Sequence, residues 1–449
     1  MRIIRRLLKL VLRIAIVLVL IIAVAYLYFS ITWGRAVDRE LSRLHKAGVR
    51  LSPAQFALPP VPDRENAALL YLAAAKKMQF THDDWQVVGE ALDPAILAKR
   101  SLRTFAPSFQ PMLRRNQQTV SLVEEAARLS HCRFPVDPKP RPKQLPIPRS
   151  HWVSEVREVA RTTGFCALGL AAQGDVVGAV RALQANLRLA EAVGSQPGMI
   201  CQPVRLAIYL ITLHELWTLE GAADLPPVEA HRLFLELRLD LTPDVVWALA
   251  CERALTVSTF GEPSERLNEL LDETGNLAPD AGKRFWIRLY NSFLGGPLRK
   301  HDELVYLKTM ERAAPLAKLP YRRSKPGYDR LTRDAEHLPP WDLRTVLLPP
   351  ASARMLEKRD QVQAEIGACR IGLALSIYRQ RFHRYPATLS ELEHAVGWPL
   401  PKDPFSGKDY SYRREGKGLV LSSWGPVLES EEAEWRSRLR ERLTWRWGR

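Results

Sequence analysis

With 449 residues, 46% of them hydrophobic and 25% charged, the chain has the profile of a folded globule with room for two or three domains. Its formal net charge is +16, and residues 1–35 hold six basic and no acidic side chains, leaving the rest of the excess as Arg scattered among Glu and Asp. That is the pattern of a solvated or membrane-adjacent surface, and without an aromatic-basic reading motif no nucleic acid is expected as a partner.

The first element is the run Ile14 to Gly34, 21 residues without a charge between Arg13 and Arg35. At about 1.5 Å per helical residue it reaches roughly 30 Å, the thickness of a hydrocarbon core, and it reads as a transmembrane helix. A cleaved signal peptide is the competing reading, with Ala23-Val24-Ala25 as its cleavage-like site. The apolar run continues past that site through Tyr26, Leu27, Tyr28, Phe29, Ile31 and Trp33, which favours an uncleaved anchor with a belt of aromatics at its far end. Five basic residues flank each side: Arg2, Arg5, Arg6, Lys9 and Arg13 before, and Arg35, Arg39, Arg43, Lys46 and Arg50 after. The second set belongs to a long domain, which crosses with little regard to charge. The expected topology is therefore a cytoplasmic N-terminus with the domain on the far side of the membrane.

Ala36 to Val49 continues as a juxtamembrane helix, and a Pro-rich linker, Ser52 to Pro62, precedes a helix opening at Arg64-Glu65-Asn66-Ala67-Ala68. His82, Asp83 and Asp84 read as a helix start, and helical patterns recur to Ser130. Six prolines in His131 to Pro148 forbid a continuing helix there. Val153 to Gln173 and Val176 to Val193 form a helical hairpin around Gly174-Asp175, a helix stop followed by an N-cap. It is similar to one tetratricopeptide unit, although no 34-residue period persists. Val204 to Glu220 and Val228 to Leu239 make a second pair, and helical signal runs on to Glu273, from Lys283 to Phe293, and from Leu298 to Leu319. Residues 320–350, rich in Pro and Arg, read as a linker. A long helix over Arg354 to Arg381 then leads to a short helix near Ser390 and to two short strands, Asp409 to Arg413 and Gly418 to Ser422. Ser430 to Arg446 reads as an amphipathic helix with Trp435, Leu439 and Leu443 on one stripe.

No H-E-x-x-H, P-loop, G-x-S-x-G or G-x-G-x-x-G occurs, so the sequence nominates no catalytic, cofactor-binding or metal residue, and no cofactor is expected. His214-Glu215 begins like a zinc helix but has Thr218 where the second His belongs. Glu269, Asp272 and Glu273 read as a solvated face, and Glu252-Arg253 as a buried pair holding helices in register. The cysteines Cys132, Cys166, Cys201, Cys251 and Cys369 stand at least 34 residues apart with no C-x-x-C, which removes zinc ribbons and thioredoxin-like chemistry. Their apolar contexts mark them as small buried hydrophobes.

Tyr378-Arg379, Arg384-Tyr385-Pro386, Leu389, Leu392, Asp403-Pro404-Phe405-Ser406-Gly407-Lys408, Tyr412-Arg413 and Leu421-Ser422-Ser423-Trp424-Gly425-Pro426 together resemble the soluble half of type II secretion major pseudopilins, over roughly 358–426. His383 stands where that pattern has Gly, and Val427-Leu428-Glu429 replaces the calcium loop, with Glu431 and Glu432 poor substitutes for its ligands. A wider resemblance, to large membrane-anchored proteins of planctomycete-type bacteria, rests on the anchor, Asn66-Ala67-Ala68, Gln196-Pro197, Gln202-Pro203-Val204-Arg205-Leu206-Ala207-Ile208, Cys251-Glu252-Arg253-Ala254 and the pseudopilin-like tail. It implies a location, the bacterial inner membrane with the bulk on the periplasmic side, and an architecture, not an activity.

The expected architecture is mainly α: an N-terminal transmembrane helix, an antiparallel helical-hairpin body and a small C-terminal α+β module. In order it comprises a basic tail over 1–13, the span over 14–34, a juxtamembrane helical region over 35–130, a Pro-rich loop over 131–149, a helical-hairpin domain over 150–319, a linker over 320–350, a pseudopilin-like module over 351–426 and an amphipathic helix over 427–449. The expected partners are the lipid bilayer through 14–34 and an envelope protein. The expected role is binding or scaffolding, against two alternatives: an enzyme whose site is assembled between helices, or an accessory of a type II secretion-like filament.

Overall fold

A computed structural model describes residues 2–93, 96, 101–135, 152–222, 225–261, 281–416, 418–425 and 443–447. Among these the fold is mainly α, with fourteen helices and one small sheet. The expected features at Glu269, Asp272 and Glu273, at 136–150, and at 426–442 lie outside the described residues.

Helix α1 (Arg2–Lys46) runs unbroken through the apolar stretch and the expected juxtamembrane helix. It is long and apolar enough to cross a membrane, and its side chains from Leu10 to Val24 are exposed. From Ala25 onward it meets the body: Val37 and Leu44 are buried, and Arg43 pairs with Glu311 at 2.6 Å. It ends where Gly48 turns left-handed (φ +75) and Val49 N–H reaches back to the Leu44 carbonyl, satisfying a carbonyl the helix leaves open.

Helices α2 (Ala67–Lys77), α3 (His82–Leu92) and α4 (Ala106–Ala126) pack on the central trio α5 (Trp152–Ala172), α6 (Val176–Gly194) and α7 (Cys201–Ala222). The α5–α6 turn is built as its residues dictate. Gly174 takes φ +91, and the Asp175 carboxylate accepts the Gly178 N–H at 2.8 Å; a Cβ on Gly178 would stand 2.7 Å from that carboxyl carbon. Next come α8 (Pro227–Glu236), α9 (Thr242–Thr259), α10 (Ala281–Asn291) and α11 (Gly296–Ala317), the helix on which α1 lies.

Residues 320–350 are not the expected linker. They hold α12 (Tyr321–Glu336) and the start of α13 (Leu343–Phe382). Proline counting misleads here because Pro320 is an N-cap and Pro339 and Pro340 fall between the two helices, while Pro326, within α12, is tolerated beside the buried stripe of Tyr321, Tyr328, Leu331 and Ala335. Helix α13 is the spine of the molecule, touching α7, α8, α11 and α12 along its length. It stops at His383, whose φ of +53 makes it the one non-glycine residue with positive φ among the described residues.

After α14 (Leu389–Val396), strands β1 (Ser411–Glu415) and β2 (Gly418–Ser422) form an antiparallel hairpin with Tyr412 opposite Leu421. A third strand, β3 (Thr444–Trp447), pairs with β2 so that Leu419 faces Trp447 and Leu421 faces Trp445. The expected helix over Ser430 to Arg446 is thus corrected at its end. Thr-Trp-Arg-Trp alternates buried indoles with an exposed Arg446, a period of two that completes the open edge of β2.

Candidate functional site

Buried polar clusters sit between the helices. The first surrounds the α6–α7 turn, and the motifs behind the wider resemblance converge on it. Gln196 donates to the Cys132 carbonyl at 3.1 Å and Asn66 to the Arg133 carbonyl at 2.9 Å, while Arg133 N–H returns 2.8 Å to Asn66 Oδ1. Gln202 donates to the Gly194 carbonyl at 3.1 Å, and the Met199 N–H reaches Glu252 at 3.3 Å. These side chains satisfy irregular backbone at 131–134 and 195–201, which has no ladder of its own. One layer deeper lies Arg205, 1% exposed. Its guanidinium pairs with Glu191 at 2.5 Å and Asp244 at 3.0 Å, and Arg238 and the Tyr209 hydroxyl complete the network. Five polar groups thereby lock α6, α7 and α9 together, with the buried charge fully compensated.

The second cluster lies where α7, α13 and β3 meet. Trp445 Nε1 donates to Glu365 Oε2 at 3.0 Å, and Trp217 stacks on Trp445 at 5.9 Å and meets Trp447, tilted, at 4.7 Å. Glu220 lies over Gly372, where a Cβ would stand 3.2 Å from its carboxyl carbon and 3.0 Å from the Trp447 ring. Burial pushes Glu365 up to about 7 and Glu220 well above the usual carboxylate range. The two acids also raise the buried Cys369 thiol, on which burial acts first, so it stays protonated and unreactive. Glu215, earlier on α7, is buried against Gly164, and burial likewise pushes it well above the usual carboxylate range.

The third cluster joins α10, α11 and α13 beside α1. The buried Asp302 carboxylate accepts the Tyr290 hydroxyl at 2.9 Å, the Arg344 and Thr345 N–H groups at 3.0 and 3.2 Å, and the Thr345 hydroxyl at 2.6 Å. It caps the first turn of α13 from a neighbouring helix. Burial pushes it up to about 6, against the pull of those donors. Next to it, His301 Nδ1 lies 2.7 Å from Asp342, and the His301 ring sits edge-on to Trp33 of α1 at 4.8 Å. This His–Asp pair is the polar link between the apolar run and the body.

Protein-family models, curated proteins and solved structures were compared with the chain. It matches none of them.

The residues weighed from the sequence separate in space. His214 is exposed while its neighbour Glu215 is buried, so the two do not converge on a common ligand. Arg253 donates to the Arg50 carbonyl at 3.3 Å, while Glu252 holds the α6–α7 turn. Both sit half-buried, each drawn to the nearest unsatisfied backbone. Asp84 does start a helix, exchanging hydrogen bonds with Thr81 and pairing with Arg115 at 2.6 Å. Sequence reasoning missed Arg205, Asp302, Glu365 and Arg359. Their common signal is a charge on an otherwise apolar helical stripe, as in Val362, Glu365, Ile366 and Cys369.

Proposed function

We propose that the chain is a single-pass, membrane-anchored scaffold of the bacterial envelope, with its N-terminus in the cytoplasm and its helical body held against the outer surface of the inner membrane, where it binds a protein partner. One observation carries this reading: α1 passes without a break from a bare apolar stretch into the body, where Val37 and Leu44 are buried. The helix is also unbroken and apolar through the cleavage-like Ala23-Val24-Ala25 and on past Tyr26, where a leader's cleavage region should turn polar. The clusters at the α6–α7 turn and at Asp302 cap helices and brace turns, which supports a rigid body that presents a fixed surface to a partner. The tail, with its long helix, short helix, Asp403 turn and hairpin, supports a pseudopilin-like module used as a docking or folding unit.

The test is extraction and protection of the full-length chain. The anchor reading expects it to stay with membranes in alkaline carbonate, and to be digested by protease only after the outer envelope is opened. It expects Leu18→Arg, which costs about 3 kcal/mol at the centre of a span, to release a fraction of it. Recovery of a mature end near Tyr26, or complete release of the unaltered protein by carbonate, refutes it. Crosslinking in intact cells that returns no stable partner refutes the scaffold role.

A second reading is an enzyme with a site between helices, favoured by two acids, Glu220 and Glu365, whose charges both act on the buried Cys369. Its test is Glu365→Gln and Glu220→Gln: partner capture unchanged in both, together with a lost cellular phenotype, would favour catalysis over scaffolding.

A further inference from the structure

We propose that the segment from α10 through the turn Phe293–Gly295 is a second membrane contact, an amphipathic hook lying in the lipid interface beside α1. The proposal rests on the reading that α1 spans the bilayer. Phe293 is 82% exposed, the most exposed large hydrophobic side chain among the described residues, with Leu294 and Phe285 also bare. Phe293 is nevertheless placed: its ring stacks on Tyr26 at 5.7 Å and 15°, and Gly296 lets the chain pass close by, since a Cβ there would stand 3.1 Å from the Tyr26 hydroxyl.

Tyr26 lies inside the charge-free run, about 12 Å below Gly34 along a helix rising about 1.5 Å per residue. A hydrocarbon core of about 30 Å that begins after Arg13 extends past Tyr26 to the neighbourhood of Trp33. Whatever stacks on Tyr26 from outside is therefore at the depth of lipid, and an apolar tip is what that depth accepts. Helix α10 fits the same surface. Ile287 and Tyr290 bury against the body, while Arg284, Phe285 and Arg288 are exposed, combining an apolar side chain with two cations one turn apart for anionic headgroups.

The experiment uses the full chain in vesicles of phosphatidylcholine and phosphatidylglycerol, with nitroxide labels on Leu18→Cys, Phe293→Cys, Leu294→Cys, Phe285→Cys and Val228→Cys. All five native cysteines are buried, so the introduced thiols are the accessible ones. Collisions with oxygen, which partitions into lipid, are compared with those of a water-soluble nickel chelate. The expected result is a severalfold higher oxygen-to-nickel ratio at 18, 293 and 294 than at 228, an exposed apolar position on α8, with 285 in between. If 293 and 294 match 228 while 18 reads lipid, the hook is refuted and the anchor stands. If 18 also reads water, both fall. Labels at 293 shielded from both reagents and broadened by a second spin would make this face a contact between copies, again overturning the proposal.

Discussion

Replacing glycine by alanine at two helical positions should move stability in opposite directions. Gly89 lies exposed within α3 with nothing near the place its Cβ would occupy, so Gly89→Ala gains helix propensity and stabilises by about 0.5–1 kcal/mol. Gly194 ends α6, and a Cβ there would lie 2.7 Å from Arg205 Nε and closer still to Cδ. That stem cannot swing aside, because the guanidinium is buried and held between Glu191 and Asp244. Either the helix backs away, at an overpacking cost of about 1–3 kcal/mol, or Arg205 leaves its partners, at about 3–5 kcal/mol for a broken buried pair. Gly194→Ala should therefore cost about 2–4 kcal/mol, measured from urea midpoints of the full chain in detergent. The cause is checked by a cycle: in an Arg205→Ala background the same change should be close to neutral, a coupling of at least about 2 kcal/mol. A cost that persists in that background, or a stabilising Gly194→Ala, refutes the steric argument.

Glu365 is held protonated to about pH 7, whereas an unfolded glutamate ionises near its ordinary value. As pH rises between the two, the unfolded chain loses its proton first, so stability falls by an amount on the order of 3 kcal/mol and then levels off. Glu365→Gln should flatten the slope of unfolding midpoint against pH over that window; an unchanged slope refutes the assignment. Arg359 donates to the Ala317 and Leu319 carbonyls at 2.9 and 2.8 Å and pairs with Asp360 at 2.7 Å, so Arg359→Met, which strands a buried carboxylate, should destabilise by about 3–5 kcal/mol in the same urea assay. Asp403, fully buried, accepts from the Ser406 and Ser423 hydroxyls at 2.8 and 2.6 Å. Asp403→Ala should cost about 2–3 kcal/mol and open the 403–425 region to limited proteolysis before the rest of the body. His383→Gly, which relieves a left-handed backbone, should stabilise by about 1 kcal/mol, read as a higher melting temperature.

The hairpin architecture was legible because its punctuation is local: Gly174-Asp175 stops one helix and caps the next within two residues. The β1–β2 hairpin was legible for the same reason. Residues 320–350 and 444–447 were not, because their conformation is set by what they meet. The stripe through Tyr321, Tyr328, Leu331 and Ala335 becomes helical against α13, and Trp445 and Trp447 become a strand because β2 offers an edge and Trp217 a partner. His383 stands where the pattern it was compared with has Gly, and it occupies the left-handed stop that glycine fills most easily. The polar clusters were hidden for a different reason. Arg205 and Glu365 sit in apolar stripes, and only the spatial neighbours from other helices show whether such a charge faces water or a partner.

The continuity of α1 from its bare stretch into the body carries a mechanical corollary. A rod with no swivel transmits its inclination, so a bilayer that thins or thickens and tips the helix by something like 20° would tip the whole body with it. The angle at which the body presents its far face would then follow the inclination of α1.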